Sequence, residues 1–131
     1  MKEKHHKLVN AWFNKAEKDL TTVEHEFFFD DPVYETICFH CQQAVEKFLK
    51  GYLIYLEIGY QKTHELGELI SVCEKKDKGI THLKEDADKL TDYAVEIRYP
   101  DDYFEIYEND AKEAFKIAKE VKAYIYSKVS W

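Results

Sequence analysis

The chain has 131 residues, 45% of them hydrophobic and 15% aromatic, with 19 basic against 26 acidic side chains and a formal net charge of −7. That length fits one domain spanning 1–131, able to bury a core without metal or disulfide support, and the apolar content excludes disorder as the default. The 4 glycines and 2 prolines argue against a turn-dense β-sandwich or barrel, and the acidic balance argues against broad nucleic-acid binding, because it repels phosphate backbones at long range.

The polar start, Met1 to His6, lacks the apolar stretch of a signal peptide. The first periodic segment runs from about His6 to Phe29, with Val9, Trp12, Phe13, Ala16, Leu20, Val23 and Phe27 at helical spacing. Asp30-Asp31-Pro32 reads as its stop and as the start of a second helix, an acidic N-cap followed by proline at the first helical position. That helix continues to about Ile58, with Gly59 as its C-cap. A loop over 59–63 leads to a short third helix opened by Thr63, Leu66 and Leu69. The charged, glycine-terminated run Lys75-Lys76-Asp77-Lys78-Gly79 reads as a linker too short to divide domains. A long fourth helix is expected from Leu83, Ala87, Leu90, Ala94 and Ile97, ending near Tyr99 because Pro100 disfavours helix before it. The last helix runs from about Asn109 to Val129. Nothing alternates as a strand would. The expected fold class is all-α, an antiparallel up-and-down bundle of four long helices plus one short helix.

Cys38, Cys41 and Cys73 are an odd set without a signal peptide, which reads as reduced and intracellular. Cys38-Phe39-His40-Cys41 invites a redox or metal reading. However, a redox pair gains its acidity at a helix N-terminus, and this one lies about two turns inside a helix with no second Cys/His pair following. Core cysteine is the favoured reading, with no metal site and no cofactor. No apolar run approaches the ~20 residues of a membrane span, so a cytoplasmic location without membrane contact is expected.

The second helix carries the most information. Cys41, Val45, Phe48, Leu49, Tyr52 and Leu56 form one apolar face. His40, Gln43, Lys47 and Lys50 form a polar stripe opposite, flanked by Gln42 and Glu46. That stripe reads either as a plain solvated face or, because Phe39, Leu53 and Ile54 intrude on it, as a surface covered by a second layer. Arg98 at a helix end beside Tyr99 suits phosphate or base binding, or simply answers the helix dipole. His64, placed between a loop and a helix, reads as a structural hydrogen-bonder or a ligand.

Trp12, Ala16, Asp19 and Leu20, the block Gln42-Gln43-Ala44 with Glu46-Lys47, Lys50 and Leu53, then Thr63-His64 with Leu66 and Leu69, and finally Arg98-Tyr99-Pro100 resemble the HEPN domain family over nearly the whole chain. The resemblance implies a bundle of about five helices, usually homodimeric, similar to the helical C-terminal domain of kanamycin nucleotidyltransferase. It further implies assembly with a minimal nucleotidyltransferase and a nucleotide-binding role, for example toward ATP. Many members are metal-independent ribonucleases, some of them in toxin–antitoxin pairs, that use an arginine followed after four to six residues by a histidine. Here the arginine matches Arg98, but Tyr103, Phe104 and Glu105 fill the positions where the histidine belongs. A phenol with a pKa of ~10 cannot shuttle protons near neutrality. A tyrosine that the toxin branch adenylylates two residues after its histidine corresponds to Glu105. No catalytic residue is therefore assigned, and the expected function is a non-catalytic HEPN protein that binds a nucleotide or a nucleotidyltransferase. The alternatives are a ribonuclease using His64 or His40, and a purely structural homodimer. The expected binding residues are Gln43, Lys47, Lys50, His64, Arg98 and Tyr99, with Lys47, Lys50 and Arg98 making a local positive site.

Overall fold

Val9, Phe13, Ala16, Leu20 and Val23 recur every three or four residues, and they form the buried face of α1, Lys2–Phe27. The computed structural model describes residues 2–59, 62–95, 100–101 and 105–131. After α1 come α2, Tyr34–Tyr55; α3, Leu66–Cys73; α4, Lys84–Asp88; and α5, Glu108–Lys128, with 3-10 turns at Lys78–Leu83 and Thr91–Ala94. Among the described residues there is no strand, and the fold is an all-α bundle.

The helix α2 is the spine. Fourteen of its 22 residues are buried, Phe48, Leu49 and Leu53 completely. Burying each of these large side chains contributes about 2 kcal/mol relative to leaving it in water. Side-chain contacts fix how its neighbours run. Asp19 meets His40, and Gly51 meets Trp12 and Phe13, so α1 lies antiparallel to α2. Tyr34 bonds Glu108, and Tyr55 bonds the Lys128 carbonyl, so α5 runs parallel to α2. Gly51 permits the close approach of α1, since a Cβ there would stand 2.8 Å from the Phe13 ring.

Both ends of α2 depart from expectation. The Asp30-Asp31-Pro32 start does not cap it. Val33 is the N-cap, extended at φ −90° and ψ 99° with no side-chain cap bond. Its N–H donates instead to Glu26 Oε2 at 2.9 Å, which ties the turn back to α1 and delays α2 to Tyr34. At the other end the helix stops at Tyr55 rather than near Ile58. The Ile58 N–H reaches the Leu53 carbonyl at 3.0 Å and the Glu57 N–H reaches Ile54 at 2.9 Å. This is a Schellman closure with exposed Glu57, not glycine, in the left-handed region at φ 62°.

The segment expected as a long fourth helix is broken. Leu83, Ala87 and Leu90 face the core as their spacing requires. Only Lys84–Asp88 is α-helical, however, between the two 3-10 turns. Polar side chains explain the break. Asp77 Oδ1 accepts the Gly79 N–H at 3.1 Å and opens a 3-10 turn. Asp88 and Thr91 turn away to accept the Gly67 and Leu66 N–H groups at 3.0 and 3.1 Å, capping α3 from outside. A Cβ on Gly67 would stand 2.8 Å from the Asp88 carboxylate, so this cap needs glycine at that position. Side chains that bond backbone in this way compete with continued helix. Ile97, expected on the inner face of this helix, lies outside the described residues.

Candidate functional site: a charge-paired polar face on the spine helix

The polar stripe of α2 is semi-buried. Within α2, only Glu35 is exposed. Its flanking apolar residues Leu53 and Ile54 are buried and Phe39 is half-buried, so the stripe belongs to a covered helix and not to a solvated face.

Two carboxylates organise it. Asp19, buried on α1, accepts from Lys47 Nζ at 2.7 Å through Oδ2 and lies 2.9 Å from His40 Nδ1 through Oδ1. Glu46 accepts from Lys50 Nζ at 2.7 Å and Gln42 Nε2 at 3.0 Å, and lies 2.8 Å from His64 Nδ1. The Gln43 amide donates to Gln42 Oε1 at 2.7 Å, and Gln42 Nε2 also reaches the His64 carbonyl at 3.3 Å. A deprotonated carboxylate only accepts, so in both histidines Nδ1 is the donor and Nε2 is the remaining ring nitrogen. Burial opposes charge on Glu46, but hydrogen bonds from Lys50, His64 and Gln42 outweigh it and hold the carboxyl below its ordinary range. The Lys50 ammonium also stands 5.9 Å from the centre of the Trp12 ring.

The structure thus brings Gln43, Lys50 and His64 into one network around Glu46, and it assigns Lys47 to a second network around Asp19. The two lysines do not converge on a single point, and the positive site expected of them is a pair of neutralised ion pairs. Arg98 and Tyr99 lie outside the described residues. Asp19, Gln42 and Glu46 stand among the residues of the family resemblance but not among the expected binding residues. Their signals were present: Asp19 lies at the edge of the α1 apolar stripe, and Glu46 stands four residues before Lys50, the favourable helical spacing for an ion pair.

Access is graded. The buried carboxylates sit behind Lys47 and His40, each with about a quarter of its side chain exposed (25% and 24%), and behind His64, whose side chain is 70% exposed. Beside this face, Leu8, Ala11, Trp12 and Lys15 of α1 line an apolar groove.

Other polar groups serve the frame. Asp77 accepts from the Tyr52 hydroxyl at 2.7 Å and from the Tyr124 hydroxyl at 2.8 Å, which pins α5 and the post-α3 turn to α2. Cys38, Cys41 and Cys73 are free and fully buried. Burial pushes the Cys38 and Cys73 thiols up to about 12 and Cys41 further, so all three are protonated core side chains. Among the described residues no helix is long and apolar enough to cross a membrane.

The HEPN domain family model matches residues 9–128. The crystal structure of ST0689, an archaeal HEPN homologue, is similar with a TM-score of 0.73 and 26% sequence identity, over 93% of this chain and 98% of that one. Among curated proteins, none matches the chain. A family match across nearly its whole length, on a helical bundle of the same architecture, establishes that the chain belongs to the HEPN domain family.

Proposed function

We propose that this chain is a non-catalytic HEPN protein, cytoplasmic and homodimeric, whose α2 polar face binds a minimal nucleotidyltransferase in preference to a free nucleotide such as ATP. Gln43, Lys47, Lys50 and His64 border that face, and Arg98 and Tyr99 are assigned to the same binding role from the family resemblance alone. The observation that carries this reading is the pairing of each lysine with a carboxylate at 2.7 Å. Among the described residues of that face, Lys47 and Lys50 together with Asp19 and Glu46 sum to no net charge, so a free triphosphate gains little from them while the overall charge of −7 opposes its approach. A protein surface can meet such a face with donors and acceptors in matched positions. The apolar groove of Leu8, Ala11 and Trp12 beside it supports a protein–protein contact, including one with a second copy.

Calorimetry tests the choice of ligand. The nucleotidyltransferase binds tightly and ATP weakly, and binding of the enzyme drops about tenfold or more in Lys47→Ala. ATP bound as tightly as the protein partner refutes the preference.

One observation favours a second reading, a ribonuclease with a non-standard acid/base. His40 and His64 are each oriented through Nδ1 by a carboxylate, which is how a general base is held. RNA cleavage by pure protein in chelator, lost in His64→Ala or His40→Ala, would establish it over the binding function.

A further inference from the structure

A second surface lies at the other end of α1, away from the α2 polar face. Phe28 and Phe29, in the turn after α1, are 88% and 62% exposed, and Val33 and Tyr107 are exposed beside the starts of α2 and α5. These side chains belong to one end of the bundle. Phe27 packs on Phe115 with ring centroids 5.7 Å apart, and the Tyr34 hydroxyl donates to Glu108 at 3.2 Å. A groove of about 380 Å³ opens between the two helices, lined by Glu24, Phe27, Phe28, Lys112 and Phe115. Adjacent exposed phenylalanines over an apolar groove are unlike the scattered single apolar residues of an ordinary surface.

Charge identifies the occupant. Glu24 lines the groove, Asp30 and Asp31 follow the two phenylalanines, and Glu105 and Glu108 flank Tyr107, all of them exposed. Among the described residues, Lys112 is the cation in the groove lining and Glu108 answers it at 2.6 Å, while Lys119 stands over the Phe115 ring at 4.3 Å, so two cations face five carboxylates at this end. Two copies meeting here about a twofold axis would bring like carboxylates together, which is destabilising. Nucleic acid and anionic lipid are repelled for the same reason. We infer that this aromatic, acidic end is a docking surface for a basic amphipathic segment of another protein, its apolar side chains seated between Phe28 and Phe115 and its lysines or arginines facing Asp30, Asp31 and Glu24. This surface is independent of the α2 face and of any nucleotidyltransferase bound there.

The test uses a synthetic helical peptide with leucines at positions i, i+3, i+4 and i+7 and lysines on the opposite face. A control peptide carries glutamate in place of lysine. Binding to the full chain is followed by fluorescence anisotropy at two salt concentrations. The lysine peptide binds one-to-one, and more weakly at high salt. The affinity falls about tenfold or more in Phe28→Ser/Phe29→Ser, and also falls in Asp30→Asn/Asp31→Asn. Both pairs of side chains are exposed, so the variants stay folded, which circular dichroism checks. The inference is overturned if the lysine peptide does not bind, if the glutamate peptide binds equally well, or if the phenylalanine variant binds unchanged. It is also overturned if light scattering shows that Phe28→Ser/Phe29→Ser converts a dimer to a monomer, for then a second copy covers this end.

Discussion

Glu46 and Asp77 both fasten other parts of the chain to α2, and they are satisfied by different chemistry. Glu46 is met by an ammonium, an imidazole and an amide. Asp77 is met by two phenols and a backbone N–H. The first cluster is charge-compensated and reaches solvent through His64. The second keeps its negative charge, held by neutral donors, with the Tyr124 hydroxyl pushed up to about 12 by burial and by the carboxylate itself. The exposed His64 imidazole can leave Glu46 for an incoming group. A phenol whose ring is packed against the core cannot, so the second cluster belongs to the frame and the proposed binding role falls to the α2 face.

Removing the carboxylates is the most severe way to break this comparison. Glu46→Ala leaves the buried Lys50 ammonium without the oxygen it touches at 2.7 Å. It should cost about 3 kcal/mol in urea denaturation. Asp77→Ala strips the acceptor from Tyr52, which is almost fully buried, at a cost of about 2 kcal/mol.

Acid should act on both clusters in the same direction. Each carboxyl is held below its ordinary value, 4.5 for Glu46 and 3.8 for Asp77, because hydrogen bonds outweigh burial. A depressed folded-state pKa means that the unfolded chain takes up protons first as pH falls. The stabilisation is complete above those ordinary values and is lost as pH drops through the lower folded ones. Urea midpoints should therefore decline below about pH 4.5, and Glu46→Gln should start lower at neutral pH and decline less. An unchanged slope in Glu46→Gln would remove Glu46 from the account.

Smaller changes sharpen the contrast. Tyr124→Phe removes one of the two phenols on Asp77 and should cost about 1 kcal/mol without touching the α2 face. Glu57→Gly touches neither cluster. It relieves a left-handed residue at φ 62° and should raise stability by about 0.5–1 kcal/mol, read as a shift in thermal midpoint.

What was legible in the sequence follows the same division. The apolar repeats of α1, α2 and α5 located those helices to within a few residues, because burial imposes a 3.6-residue period that a sequence displays directly. The fourth segment misled because its inward residues keep helical spacing while Asp77, Asp88 and Thr91 bond distant or local backbone, and no periodicity records that. The intruding Phe39, Leu53 and Ile54 correctly announced a covered face. The pairing of Lys47 with Asp19 was not legible, since it joins residues 28 positions apart on two helices. A stripe of cations looks positive until the carboxylates facing it are known.

The most direct test of the binding role of the α2 polar face, against the framing role of the Asp77 cluster, is a binding titration of the nucleotidyltransferase against three forms of the protein: unmodified, Lys47→Ala and Tyr124→Phe. The account predicts that Lys47→Ala weakens binding about tenfold or more while Tyr124→Phe loses stability and keeps full affinity. Equal affinity of all three, with each form folded by circular dichroism, would show that the α2 polar face is a structural feature and not a binding surface.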